Sequence, residues 1–336
     1  MNDEKTQALP ELLDDERFSY YRLKFALVSK SACFIVKRDF LLEKLKDAGF
    51  EAEIFDSFEA FAAFDPDCVV VFQPMDFPVP KDKSKIWVAF QAEQLYTRET
   101  GGEIFSKTHL TALKPYLKVY DIILDFSEEN ANLLRRHTKA RVELFCDYAR
   151  KRVCLSEELA NAPEYDILFI GNMPGVDGRR QAIIDHLSKK YKVHPMAFDL
   201  WREKKVRAIK NSKICLNIHY EEARFEEQER FLDYIENHAF VLSEPMYNPI
   251  FEDGKEYVSF YLSDLDKKID YYLSHEDERK KIADRAYEHY EKLVSEESEK
   301  SFHRFLDCVI LESYRRELIR RDRARPIWER IDPRTR

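Results

Sequence analysis

Two Rossmann-like halves of the α/β class, each built on a parallel sheet, are what three features of the 336-residue sequence predict. Unbroken apolar runs such as Cys68–Phe72 (CVVVF) lack the alternation of half-exposed strands, which marks parallel strands buried on both faces. Those runs alternate with helix-type segments, the order that demands right-handed crossover connections. The pattern lapses over residues 148–163, closes at Pro163 and then starts again. The expected division is therefore 1–160 and 161–310, followed by a basic helix or tail over 311–336, with the last helices crossing back to the first half.

Taken in order, residues 1–20 are acidic and aperiodic. Leu23–Ser29 reads as a buried strand and Phe40–Ala48 as a helix stopped by Gly49, the residue best suited to the turn after a helix. Glu51–Phe55 alternates as a strand does, and Phe58–Phe64 spells a short helix. Cys68–Phe72 and Ile86–Phe90 are strands on either side of a proline-rich loop. His109–Val119 is helical, Asp121–Asp125 a strand, Glu128–His137 a helix and Arg141–Phe145 a last short strand. The second cycle opens on the strand Tyr165–Gly171 and the helix Arg180–Lys189, then the strand Tyr191–His194 and the helix Leu200–Lys210. Strands Ile214–Ile218 and Phe240–Ser243 flank a helix over Glu226–Glu236, and Tyr257–Phe260 is the final strand. From Leu265 the reading is helical to about Arg325, capped by Asp264 and re-capped at SHEDER, residues 274–279.

Composition narrows the function. Apolar residues make up 44% of the chain, with 24 Phe and 18 Tyr, enough for two cores. With 7 glycines and neither G-x-x-x-x-G-K-[ST] nor G-x-G-x-x-G, the common nucleotide motifs are absent. A net charge of −8 argues against a protein that coats nucleic acid. Residues 315–336 are the local exception, with nine Arg. That stretch has two readings: a contact for anionic lipid or an acidic partner, or a terminal helix packed back on the body with a solvated basic face. Six cysteines occur without a C-x-x-C pair, and Cys33, Cys68, Cys146 and Cys215 sit in apolar runs as small hydrophobes. No apolar run reaches 18 residues and no signal peptide is evident, so the expectation is a cytoplasmic chain, peripheral to the inner membrane face if the basic tail engages lipid. No zinc spacing occurs, and the D-x-D at Asp264 and Asp266 reads as a helix cap, so no metal site is expected.

The candidate site centres on residues 208–244. Asn217, His219 and Tyr220 follow one buried strand and Glu244 follows the next, at the carboxyl ends where open parallel sheets bind ligands. The helix between them carries Arg230 and Asp233, whose spacing also suits a simple helix ion pair. Gly171, Gly175 and Gly178 fill the turn after the first strand of this half, with Arg179 and Arg180 next. That turn has two readings, a phosphate cradle at a helix start or a tight turn followed by solvated arginines. His219 is a candidate catalytic group or a satisfied rim residue. In the first half, Glu93 ends a central strand, where a general base or a plain cap would sit.

These blocks carry a resemblance. YDILFIGN…RRQAIIDHL, SKICLNIHY, ERFLDYIENHAFVLSE, FEDGKEYVSF and LDKKIDYYLSHEDERKKIADRAYEHYEKL look like the nucleotide-sugar half of GT-B glycosyltransferases, in the branch related to the spore-maturation protein CgeB and similar bacterial polysaccharide transferases of glycosyltransferase family 1. The likeness covers about residues 165–305. It implies a GT-B fold and metal-independent transfer of a sugar from a nucleoside-diphosphate sugar to a hydroxyl of a glycan or of a protein- or lipid-linked acceptor. It implies no cofactor beyond that co-substrate and no nucleic acid. Gly171, Asn172, Arg180 and Arg230 would lie near the diphosphate, Asp233 would take the place of a ribose-binding Glu, and Glu244 would close the site. Two positions depart from the family: Asp233 replaces that Glu and His238 a Gly, while the E-x7-E spacing fails because Phe225 occupies the first position. The rival expectation is a catalytically inactive GT-B-like binding or assembly subunit.

Overall fold

The computed structural model describes residues 23–99, 102–105, 107–146, 148–153, 155, 162–171, 173, 178–195, 200–220, 229–246 and 249–324. In chain order the first elements are β1 (Lys24–Val28), α1 (Ile35–Asp47), β2 (Glu51–Phe55), β3 (Cys68–Phe72), β4 (Ile86–Gln91), β5 (Tyr96–Glu99) and β6 (Gly102–Phe105). Then come α2 (Lys107–Leu113), β7 (Ile122–Asp125), α3 (Glu128–Arg135), β8 (Arg141–Leu144), β9 (Tyr165–Phe169), α4 (Arg179–Leu187) and α5 (Arg202–Lys210). The last are β10 (Ser212–Asn217), α6 (Glu229–Ile235), β11 (Val241–Ser243), β12 (Val258–Ser259), α7 (Leu265–Ser274) and α8 (Glu276–Ala324). They form two compact units: 1–93 with 111–146 and 299–336, and 94–110 with 147–298.

The first unit holds a six-stranded sheet in the order β2-β1-β3-β4-β7-β8, parallel throughout. All five residues of β3 and all six of β4 are buried, as their continuous apolar runs require. The distal part of α8 completes this core, with the Phe305 ring 6.2 Å from that of Phe25. Arg316, also on α8, pairs with Asp121 at 2.7 Å and donates to the carbonyls of residues 83–85. Over 315–324 the basic stretch is therefore part of this unit, while 325–336 lie outside the described residues.

Residues 58–64 form turns rather than the expected helix, joined by three-residue bonds such as Phe64 N–H to the Phe61 carbonyl at 3.0 Å. Packing decides this. Phe58 stacks on Phe77 at 5.5 Å and lies 5.1 Å from Trp87, and Phe61 packs on Phe55. Phenylalanines every third residue serve that aromatic cluster better than a helical face would. Cys33 is exposed, contrary to its apolar surroundings in sequence, because Phe34 takes the inward position of that turn.

The second unit holds a four-stranded parallel sheet, β12-β11-β10-β9. Alternate residues of each strand feed different layers. Ile167, Phe169, Ile214, Leu216 and Leu242 pack with α4 and α7, whereas Leu168, Cys215 and Val241 pack with α5, α6 and the start of α8. The strand expected at Tyr191–His194 reduces to one bridge, Val193 to Ile167, because the Tyr191 ring turns inward and its hydroxyl donates to Asp270 at 2.9 Å. The β5–β6 antiparallel hairpin was not anticipated. Asp264 occupies the N-cap of α7 without capping through its side chain: it accepts from the Tyr261 N–H at 2.8 Å and pairs with Lys268. Helix α6 is described over Glu229–Ile235, and residues 221–228, including Glu226, lie outside the described residues. No helix among the described residues is long and apolar enough to cross a membrane.

Candidate functional site

At the carboxyl ends of β9, β10 and β11, three arginines converge on the backbone that follows β10. Strand ends leave carbonyls without ladder partners, and here side chains supply the donors. Arg180 Nε donates to the carbonyls of Ile218 and His219, each at 3.1 Å, and Arg179 reaches the His219 carbonyl at 3.3 Å. Arg230, near the start of α6, donates to Asn217 Oδ1 at 2.9 and 2.6 Å and to the carbonyls of Ile218 and Ile170 at 3.0 and 3.2 Å. Asn217 shares the sheet face of Cys215, the side covered by α6, which is why it meets Arg230. Its amide donates to Ser243 Oγ at 3.0 Å, tying β10 to β11.

Aromatic rings and a glycine shape the cluster. The guanidinium carbons of Arg180 and Arg230 lie 5.3 and 5.1 Å from the centroid of the Phe169 ring, and Tyr220, half exposed, lies 5.4 Å from Arg180. Gly171 stands so close that a Cβ there would be 2.8 Å from Arg230 Nη1 and 2.9 Å from Phe169 Cζ. Gly178 caps α4 in the left-handed region at φ 72°, so Arg179 and Arg180 open the helix. Two of the turn's three glycines thus have distinct tasks, a close approach and a positive φ. Asn172 and Gly175 lie outside the described residues.

Glu244 accepts from both terminal nitrogens of Arg179, and its Oε2 from the His219 N–H at 2.7 Å. The His219 ring is 2% exposed, its Nε2 3.2 Å from the Pro245 carbonyl. The structure therefore brings Gly171, Arg179, Arg180, Asn217, His219, Tyr220, Arg230 and Glu244 into one cluster. It does not bring Asp233 there. Asp233 faces the other way, its two oxygens taken by Arg150 and by Lys205, the latter at 2.6 Å. Nor do Arg230 and Asp233 form the helix ion pair that their spacing allowed; each has other partners.

Two residues that support this cluster escaped the sequence reading. The buried Tyr234 hydroxyl donates to the Leu216 carbonyl at 3.2 Å and accepts the Ile170 N–H at 3.0 Å, bridging β9 and β10 where they separate. Burial pushes its phenol far above the ordinary value, so it stays neutral and able to donate. Tyr234→Phe should lower the unfolding free energy by about 1–3 kcal/mol, because a buried N–H and C=O lose their partner; thermal melting checks this. Arg150 is the other. It pairs with Asp233, with Glu236 at 3.4 Å and with Glu229 at 3.5 Å, so that α6 is held on one side by Arg150 while Arg230 projects from the other. Burial alone would raise the Asp233 carboxyl, but Arg150 and Lys205 outweigh it and hold it below the usual range.

Glu93 belongs to the first unit, just past β4. Its carboxylate accepts from the Gln73 side chain, its N–H donates to Gln91, and its carbonyl accepts from Gln91 at 2.9 Å and Asn130 at 3.0 Å. Behind it lies buried Asp125, which accepts from Gln91 at 2.8 Å and the Ser127 N–H at 2.9 Å. Gln73 adopts φ 57°, unusual for a non-glycine, in presenting its amide to Glu93.

Residues 150–295 match the profile of a glycosyl transferase-like family. No curated protein matches the chain significantly. Among solved structures, HepE (Alr3699) from Anabaena, in complex with UDP and glucose, superposes with a TM-score of 0.53 at 10% identity, covering 83% of this chain and 98% of that one. The same protein in complex with UDP-glucose gives 0.52 at 9% identity over 84% and 99%. TarM gives 0.48 at 8% identity over 75% of this chain, which spans only 57% of TarM. The fold is thus α/β of the GT-B class, as the sequence resemblance implied.

Proposed function

We propose, from the premise that residues 150–295 are glycosyl transferase-like, that this protein moves a sugar from a nucleoside-diphosphate sugar to a hydroxyl acceptor. The observation that carries this is the cluster of Arg179, Arg180 and Arg230 around Gly171 at the carboxyl ends of β9–β11. Carbonyl and amide oxygens orient Arg180 and Arg230. A leaving diphosphate gains negative charge as the sugar bond breaks, and guanidinium groups already fixed in position stabilise it without reorganising. On this reading arginines supply the electrostatics that a metal supplies elsewhere, and transfer continues in EDTA. Glu244 sets Arg179 and the His219 backbone rather than touching the donor, and Tyr220 offers an exposed ring beside Arg180 for a flat or sugar face. Glu93, steadied by Gln73, is the candidate base for the acceptor hydroxyl, which belongs to a glycan or to a protein- or lipid-linked acceptor in polysaccharide biosynthesis.

Titration calorimetry with UDP, GDP, ADP and CMP tests the binding step. One of the four should bind, and Gly171→Ala should weaken it by about tenfold or more, since the new methyl must displace Arg230 or Phe169. Binding of none at millimolar level defeats the reading. The occupancy of Asp233 by Arg150 and Lys205 favours a second one, a GT-B-like subunit that binds without turnover. Nucleotide binding with no hydrolysis or transfer from UDP-, GDP-, ADP- or CMP-sugars would select it.

A further inference from the structure

The second unit contains a cavity of about 860 Å³ at the amino-terminal ends of β10 and β11, the end of that sheet opposite the arginine cluster. Ile209 and Phe240 give it an apolar floor, and the first turns of α8 give it a wall. Its volume lies in the range of sites for small organic molecules.

The lining is cationic: Arg152, Lys210, Lys213, Arg279 and Lys280 against Glu236 and Glu276. Three of these cations have carboxylate partners: Arg152 with Glu291, Lys213 with Asp166 at 2.8 Å, and Lys280 with Glu276 at 2.6 Å. Glu236 is committed to Arg150 and, at 2.8 Å, to the Tyr290 hydroxyl. Arg279 differs. It is 8% exposed, and its Nη1 donates to the carbonyls of Tyr272 and Leu273, while its Nε and Nη2 hold no hydrogen bond among the described residues. Burial pushes its pKa down, with Glu276 opposing only in part. A guanidinium so enclosed gains from an anion that reaches its remaining donors. Lys210, exposed at the end of α5, also holds no hydrogen bond or ion pair among the described residues.

The rim is set by His238, the residue that departs from the family's Gly. It adopts φ 56°, and its ring stacks on Tyr287 with centroids 3.6 Å apart and planes at 22°. Its Nδ1 lies 3.5 Å from Asp284. A left-handed non-glycine residue held by a ring stack keeps one wall in place rather than leaving it to a mobile turn.

We propose that this cavity is a second anion site, taking the phosphoryl group of a small phosphorylated molecule on Arg279 and Lys210. The proposal does not depend on sugar transfer, because it concerns the other end of the sheet. Its test is calorimetric titration of inorganic pyrophosphate into the full-length Arg230→Gln chain, where the contact expected in the arginine cluster is removed. One site per chain should remain, and titration should shift the His238 ring resonances. Adding Lys210→Gln, a change at an exposed helix end, should weaken that site about tenfold, and Arg279→Gln should weaken it further. No binding to the Arg230→Gln chain up to about 10 mM, or an isotherm that Lys210→Gln leaves unchanged, would overturn it.

Discussion

Arg230→Ala should lower kcat/KM for sugar transfer, or for donor hydrolysis, by about 10²–10³-fold. The side chain makes four hydrogen bonds to three oxygens through Nε, Nη1 and Nη2, and it lies over Phe169, so its donors are fixed before a diphosphate arrives. Arg230→Lys keeps the charge but cannot reproduce that fork, and it should recover only part of the loss. Both variants should stay folded, since Tyr234 and Ser243 still join the three strand ends. If the two substitutions left turnover within about threefold of the parent, the diphosphate would have to be held elsewhere.

Arg150→Ala should cost about 3–5 kcal/mol of unfolding free energy, the usual penalty for stranding buried charges. Three carboxylates, those of Asp233, Glu236 and Glu229, share that one guanidinium, whose side chain is 1% exposed. Acid should separate the parent from the variant. In the parent, Asp233 has a depressed folded pKa, so its contribution is complete at neutral pH and is lost only as pH falls below about 4. Glu236 runs oppositely: burial raises its carboxyl despite Arg150, so it costs stability as pH climbs past its unfolded value. Without Arg150, Asp233 and Glu236 bind protons more readily when folded. The gap in melting temperature should therefore narrow between pH 7 and about pH 4. A gap that is constant with pH would mean that Arg150 acts through packing alone.

The legible part of this molecule was whatever a single segment declares. Most strands of both sheets were readable because strands covered on both faces must be apolar throughout, β2 by its alternation instead, and their ends differ from the expected bounds by at most two residues. Asn217 and Glu244 could be placed at strand ends for the same reason. What stayed hidden depends on partners remote in the chain. Arg150 lies in a stretch without periodicity, 83 residues from the Asp233 that explains it. Phe58–Phe64 has a helical look that Trp87 and Phe77 overrule. The β5–β6 hairpin falls in YTRETGGEIF, whose Gly101-Gly102 pair is a turn signal that could have been read in the sequence. His238 was visible only as an oddity; its left-handed backbone gives the reason glycine would suit that place and shows histidine accommodated there.

The 49-residue helix α8 has a bearing on how this protein can be cut. A gene trimmed after Ser298 would keep the arginine cluster whole yet strip Phe302, Phe305, Val309 and Ile310 from the core of the first unit. Removing 94–110 would likewise take a hairpin from the second unit while appearing, on paper, to edit the first. Neither half is a contiguous cassette, so exchanging the arginine cluster between relatives calls for swapping 147–298 in place rather than joining two separately expressed pieces.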